Sequence, residues 1–176
     1  LRSINNMNIN KEQTLVLIKP DGVQRGLIGE VIGRLERVGL KLVGIKLVVA
    51  NAEMIGTHYA KMKDPVLGHL KKLMTSGPVV AMAWEGAHAI GVVRKLIGGT
   101  EPLASDVGTI RGDFTVDSYQ LADADNRAVR NIVHASGNAE EAKQEVELWF
   151  KSGELVRYRL VSEAILYDVN LDGILE

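Results

Sequence analysis

The 176-residue chain has no cysteine, only four prolines and only 5% aromatic residues. Without a thiol it can form no disulfide, thiolate nucleophile or cysteine-ligated zinc site. That absence fits a reducing compartment, and the expected localisation is cytoplasmic. Long apolar runs are also missing. The longest, such as Leu47–Ala50 and Val79–Trp84, are a fraction of the roughly 20 residues a bilayer span requires, so no membrane partner is expected. Neither sign of charge dominates: 21 basic against 22 acidic side chains leave a formal net charge of −1. No global field draws the chain to nucleic acid, and a surface poor in aromatic residues offers few stacking platforms, so no specific nucleic-acid partner is expected. The G-x-x-x-x-G-K-[ST] phosphate loop and the kinase H-R-D and D-F-G motifs are absent. The four histidines, His58, His69, His88 and His134, show no metal-ligand spacing, and the first three read as ordinary helix or surface residues.

What is present is the composition of a globule, 46% hydrophobic and 24% charged, with no repeats and no low-complexity tracts. Residues 1–12 are polar and aperiodic, and read as a disordered or expression-derived N-terminus ahead of a single domain over 13–176. Thr14–Ile18 is a β-branched and aliphatic run ended by the turn formers Lys19-Pro20-Asp21-Gly22. Leu27, Val31, Leu35 and Val38 form a helical stripe closed by Gly39, and Leu40–Val49 follows as a strand. Asn51 can cap a helix running to about Met62, Asp64-Pro65 interrupts it, and a second helix covers Val66–Met74. Val79–Trp84 reads as a buried strand, and a helix from about Ala87 to Ile97 stops at Gly98-Gly99. Thr100–Phe114 shows neither period and reads as a long loop. Tyr119–Arg130 holds a helical turn with Asp123, Asp125 and Arg127 exposed, Ile132–His134 is the last strand, and Asn138 with Glu141 starts a helix to Phe150. This order predicts an α+β fold, a ferredoxin-like βαββαβ sandwich with a four-stranded antiparallel sheet, helices on one face and a long active-site loop.

One residue stands out against that plan. His134 ends a β-like run and is followed by small residues, so rigid backbone can present its imidazole at a cleft as nucleophile, base or ligand. Packing or surface exposure is the alternative for any single histidine. Lys19, at the junction of strand and turn, can aim an ammonium into the same cleft or simply snorkel outward. Arg111 carries a fork suited to phosphate oxygens, or pairs structurally with Asp113. Arg94 and Thr100 flank the long loop and can add a second fork and a hydroxyl. Several cations around a neutral imidazole suit phosphoryl transfer, where positioning and charge neutralisation supply most of the catalysis.

Four segments carry a closer resemblance. Ile18-Lys19-Pro20-Asp21-Gly22-Val23-Gln24-Arg25-Gly26-Leu27, Ser76-Gly77-Pro78-Val79-Val80-Ala81-Met82, Gly108-Thr109-Ile110-Arg111-Gly112-Asp113-Phe114 and Asn131-Ile132-Val133-His134, in this order, closely resemble nucleoside diphosphate kinase. The resemblance spans about Thr14 to Tyr167. It implies a ping-pong reaction in which a nucleoside triphosphate, mainly ATP, phosphorylates His134 and a nucleoside diphosphate takes the group. It implies Lys19 and Tyr59 at the terminal phosphate, Arg94, Thr100 and Arg111 at the inner phosphates, and Asn131 with Lys19 at the sugar hydroxyls. Ser136 and Glu145 would orient His134, and Val66 and Leu70 would flank the base. Mg²⁺ would arrive on the nucleotide phosphates with few or no protein ligands. The implied assembly is a homo-oligomer, a hexamer ahead of a tetramer, with the long loop and Leu166–Glu176 as contact regions.

The chain departs from the family pattern at three places. It is a residue short after Asp64 and has Val66 where an aromatic usually covers the base, which predicts a raised KM. His134-Ala135-Ser136-Gly137 replaces the usual His-Gly-Ser-Asp, so a carboxylate is missing, although His134, Ser136 and Glu145 are kept. The stretch between Phe114 and Asn131 is longer than usual, its extra part around Asp117–Arg127 reading as a solvated insertion, a subunit contact or a rim of the cleft. Two other functions compete with an active kinase: a nucleotide-binding regulatory module of the same fold with impaired phosphotransfer, and a nucleic-acid-binding α+β domain, which the charge and aromatic content disfavour.

Overall fold

The computed structural model describes residues 11–167. Strands β1 (Glu12–Ile18), β2 (Lys41–Val48), β3 (Val79–Gly86) and β4 (Val133–Ala135) form one sheet in the order β2-β3-β1-β4, with every pairing antiparallel. Between β1 and β2 come α1 (Pro20–Gln24) and α2 (Ile28–Arg37), and between β2 and β3 come α3 (Ala52–His58) and α4 (Val66–Met74). After β3 follow α5 (Ala89–Ile97), a 3-10 turn over Pro102–Ala104, α6 (Ile110–Phe114) and α7 (Tyr119–Ala124). α8 (Ala139–Trp149) and α9 (Glu163–Leu166) follow β4. This is the expected ferredoxin-like sandwich with a four-stranded antiparallel sheet, with the α3–α4 pair added where the bare plan has a hairpin.

Helices cover both faces of the sheet, a correction to the single covered face expected. On one face Val16, Ile18, Val80, Met82 and Trp84 pack with Val31 and Leu35 of α2 and Val93 and Ile97 of α5. On the other, Leu15, Leu17, Ala81 and Ala83 pack with Ile55 of α3, Met74 of α4 and Trp149 of α8. The sequence of β1 already carries the reason. Thr14-Leu15-Val16-Leu17-Ile18 does not alternate, and all five are buried, as a strand sealed on both sides must be. Each fully buried leucine in it contributes on the order of 2 kcal/mol.

Other boundaries shift for local reasons. Glu12 already pairs with Gly86, so the N-terminal segment set at 1–12 gives way to the fold earlier, while residues 1–10 lie outside the described part. Lys19-Pro20-Asp21-Gly22 does not close a turn; it opens α1, with proline in the first helical turn where its missing N–H costs nothing. α3 ends at His58, short of Met62. The stretch read as a long loop holds α6, whose cap Thr109 accepts the Gly112 N–H at 3.1 Å; five residues are too few to show a helical period. Arg127, expected exposed, is partly buried against Asp117. Most of the C-terminal contact segment, residues 168–176, lies outside the described part.

Candidate active site

Strand alternation decides which side chains meet. Val133 and Ala135 face the α2–α5 side, so His134 between them faces the α3–α8 side, and β4 pairs it with Leu17 of β1. Lys19 follows in phase with Leu15 and Leu17 and reaches the same side. There, α8 turns its stripe Ala142, Val146 and Trp149 inward, and Glu145 on the same stripe meets the imidazole. His134 Nε2 lies 3.0 and 3.1 Å from the two Glu145 carboxylate oxygens. The Ser136 hydroxyl donates to Glu145 at 2.5 Å and accepts from the Leu15 N–H at 3.3 Å, which fixes the carboxylate in turn.

A cavity of about 670 Å³ opens in front of this pair. Of the residues singled out from sequence, Lys19, Tyr59, Val66, Leu70, Arg94, Thr100, Arg111, Asn131, His134 and Glu145 all line it. Ser136 does not. It is fully buried behind Glu145 and acts only through it. The Lys19 ammonium donates to Asn131 Oδ1 at 2.7 Å, and Asn131 Nδ2 donates to the Thr100 carbonyl at 2.8 Å, tying strand, loop and β4 together. Tyr59 Oη is buried without a hydrogen-bond partner beside the cavity, which suits a polar ligand.

Arg111 neither pairs with Asp113, which binds Arg34 at 2.5 Å, nor points a free fork at the cleft. Its guanidinium donates to four backbone carbonyls: Asn131 at 3.2 Å, Gly98 at 3.2 Å, Gly99 at 2.8 Å and Val133 at 2.7 Å. It therefore presents mainly its charge to the cavity while clamping the end of α5 to β4.

That clamp surrounds a residue the sequence reading missed. Ile132 has φ of 57°, a left-handed conformation that is rare for a β-branched side chain and costs roughly 1–3 kcal/mol. Asp21 Oδ2 accepts its N–H at 3.0 Å, the Lys19 N–H donates to its carbonyl at 2.8 Å, and Arg111 takes the carbonyls on either side. The strain is thus held from outside the local chain, two residues before His134. It also starts β4 at Val133, a residue later than expected.

His58 is the second omission. Instead of an ordinary helix residue, its side chain is fully buried, edge-on to the His134 ring with centroids 4.4 Å apart. Trp149 Nε1 donates to His58 Nδ1 at 3.2 Å, so the proton sits on Nε2, 3.9 Å from Glu145. His58, His134 and Glu145 could together face a metal ion. Two nitrogens and a carboxylate already bonded to His134 and Ser136 are a poor set for a hard cation such as Mg²⁺, which prefers oxygen.

Protonation follows from burial and neighbours. Burial holds His134 below the ordinary imidazole range against the opposing pull of Glu145, so it is neutral near pH 7. Burial, then the His134 imidazole, push His58 down to about 3. Glu145 stays below the usual carboxylate range because its bonds from His134 and Ser136 outweigh its burial. Burial and Glu145 push the Tyr59 phenol up, so it remains a donor. Lys19 is lowered to about 8 by burial and then by Arg111, and Arg111 to about 10 by burial and then by Arg94.

The departures at 135 and 137 are accommodated locally. Ala135 sits in β4 opposite Val16. At Gly137 the carboxylate of Glu141 comes in from α8: it accepts the Gly137 N–H at 3.2 Å and pairs with Lys61 at 2.8 Å. In the expected capping box Asn138 does accept the Glu141 N–H, but Glu141 reaches back to residue 137 rather than to the cap itself.

Residues 12–155 match the family model described as nucleoside diphosphate kinase. A nucleoside diphosphate kinase of Synechococcus sp. is 46% identical over 158 residues, covering 89% of this chain and 99% of that protein. Nucleoside diphosphate kinase A of Rattus norvegicus is 44% identical over 160 residues, 90% and 99% of the two chains. Among solved structures, the Borrelia burgdorferi nucleoside diphosphate kinase with bound vanadate and ADP, described as a transition state mimic, superposes with a TM-score of 0.86 at 38% identity, covering 90% of this chain and 98% of that one.

Proposed function

The chain belongs to the nucleoside diphosphate kinase family and transfers phosphoryl groups between nucleotides, and we propose that it does so by a ping-pong mechanism through phosphorylated His134. The observation that carries this reading is the Ser136–Glu145–His134 relay. Glu145 accepts the Nε2 proton, which leaves the lone pair on Nδ1. In the first step that lone pair attacks the γ-phosphorus of the triphosphate in line, the bond to the bridging oxygen breaks, and the nucleoside diphosphate leaves. The phosphoimidazole gains positive charge as it forms, and the carboxylate of Glu145 stabilises it. A second diphosphate then attacks the phosphorus and restores the neutral ring.

The family resemblance assigns the substrate residues, and the cluster of cations in the cavity supports that assignment. Lys19 and the unpartnered Tyr59 hydroxyl meet the terminal phosphate, Arg94, Thr100 and the charge of Arg111 the inner phosphates, and Asn131 with Lys19 the sugar hydroxyls. Val66 and Leu70 flank the base. Mg²⁺ bound to the nucleotide would neutralise phosphate charge. No oxygen cage for it is found among the described residues, so the phosphates and water would hold it. The vanadate and ADP held by the Borrelia burgdorferi relative as a transition state mimic are in keeping with in-line transfer. β2 is an edge strand with Ile45 and Leu47 exposed, and Val49 just after it is exposed too, which supports a homo-oligomer. The family resemblance sets a hexamer ahead of a tetramer, to be read by sedimentation equilibrium. The regulatory-module alternative is not favoured, since the relatives are named nucleoside diphosphate kinases and His134, Ser136, Glu145 and the cationic residues of the resemblance are all kept.

Incubation with γ-labelled ATP and Mg²⁺, followed by quench, is expected to leave acid-labile, base-stable label on His134 that GDP removes. Nucleotide binding without label would end this reading.

Lys19 sets a pH limit. With its folded value near 8, the free enzyme loses a phosphate-binding charge above that pH, so kcat/KM should fall there. The decline in kcat should lie at higher pH, because bound polyphosphate favours the protonated amine. A kcat/KM profile flat to pH 10 would remove Lys19 from the phosphate site. Stability moves the other way. Between about 8 and the ordinary 10.5 the unfolded chain holds the extra proton, so stability rises with pH across that window.

A further inference from the structure

The segment Asp117–Arg127 is neither a plain solvated loop nor remote from the site. It folds back on itself and is pinned along its length. The buried Asp117 carboxylate accepts both Arg127 amino groups, at 2.6 and 2.9 Å, and the Arg130 N–H at 2.6 Å, so an ion pair closes the segment at its two ends. Ser118 caps α7 through the Leu121 N–H at 3.1 Å, and the Tyr119 N–H donates to Glu101 at 2.8 Å. A segment held this way is preorganised, so a ligand touching it has little ordering cost to overcome.

The segment lines the cavity that contains His134. Tyr119 and Ala122, with Ala128 and Val129 just after the segment, line the cavity together with Val66 and Leu70 of α4, and much of that lining is apolar. Charge decides which part of a nucleotide fits there. Lys19, Arg94 and Arg111 gather near the imidazole, whereas the α7 wall carries Asp123, and its Arg127 is paired with Asp117 and Asp125. Phosphates belong at the cationic end and the nucleoside between α4 and α7. Val66 offers no ring there. Among the described residues lining the cavity, Tyr59 and His58 pack beside His134; of the two remaining rings, His69 of α4 is partly buried, whereas Tyr119 is larger and keeps 46% of its surface exposed.

From this arrangement we infer that the 117–127 segment is a wall of the nucleoside subsite and that Tyr119 is its substrate-contacting residue, its ring stacking on the base. The inference rests on the site reading given above. It makes the segment a determinant of nucleotide affinity, supplied by a part of the chain outside the motifs that carry the chemistry.

The test compares Tyr119→Ala, Tyr119→Leu and Tyr119→Phe with the unaltered protein, using ATP and ribose 5-triphosphate, which lacks a base, as donors. Tyr119→Ala is expected to raise KM for ATP about fivefold or more, the lower end for a lost base–aromatic stack, with kcat within about twofold. Tyr119→Leu should fall between, Tyr119→Phe should match the unaltered protein, and the baseless donor should be indifferent to all three. Val66→Phe in the Tyr119→Ala background should recover most of the loss by placing a ring on the opposite wall. An unchanged KM in both the Ala and Leu variants overturns the inference. So does a Tyr119→Phe variant as impaired as Tyr119→Ala, or an equal loss with ribose 5-triphosphate, since either moves the contact away from ring and base. Label on His134 in the unaltered protein separates the two readings: its absence sinks the site itself, and its presence with unchanged KM sinks only the role of Tyr119.

Discussion

Replacing His134 by glutamine is expected to lower kcat by at least about 10⁴-fold, the scale on which enzymes lose turnover when a covalent nucleophile is removed. The size of the effect follows from the absence of any substitute. Ser136 is buried behind Glu145, His58 is fixed by Trp149 with its proton on Nε2 and its side chain buried, and Glu145 is bonded to the imidazole it orients. None of them can take the phosphoryl group in line. Glutamine keeps a donor for Glu145 and a similar length, so nucleotide Kd should change only a few-fold and the thermal midpoint little. Steady-state turnover with ATP and GDP, and nucleotide binding by calorimetry, separate the two quantities. Turnover above about one per cent of the original, beyond what loss of a nucleophile allows, would mean direct transfer between bound nucleotides.

Arg111→Ala is expected to damage both stability and activity. Removing the guanidinium takes a donor from four carbonyls; Asn131 keeps the Val133 N–H and Gly99 the Ser105 hydroxyl, whereas Gly98 and Val133, the latter next to the left-handed Ile132, lose their side-chain donor. A loss of about 3 kcal/mol is expected, because each unsatisfied buried acceptor costs about 1–3 and water entering the cleft relieves part of it. The urea midpoint should fall with an unchanged slope. Activity should fall further than the lost phosphate charge explains, since β4 and its histidine are held by the same bonds. Arg111→Lys restores the charge without the planar fork, so it should recover nucleotide affinity better than stability. An unaltered urea midpoint in Arg111→Ala would show that the carbonyl clamp carries no weight.

Much of this site could be read before any coordinates. The Thr14–Ile18 run, the stripe on α2, the Asn51 and Asn138 caps and the position of Lys19 at a strand end are all local signals, written in residues a few positions apart. The family resemblance singled out His134 and, Ser136 apart, residues that line one cavity with it. What stayed hidden lacks a local period. α6 is five residues long, and α7 six, too short to stand out from loop. His58 looked like any polar residue near a helix end; only the arrival of Trp149, 91 residues away, makes it a buried neighbour of His134.

From sequence alone come the fold class, the strand order and the longer helices, the family and the choice of His134 as the proposed nucleophile, because each rests on patterning or on short runs whose chemistry is explicit. The tertiary structure alone decides how those residues are held. It brings Asp21 to Ile132 across 111 residues, turns Arg111 from a free fork into a backbone clamp, and covers the second face of the sheet. It also sets the 117–127 segment against the cleft instead of in open solvent. The physical reason is the same in each case. Hydrogen bonds and packing between distant segments depend on where the folded chain crosses itself, and no period or propensity along the chain encodes that crossing.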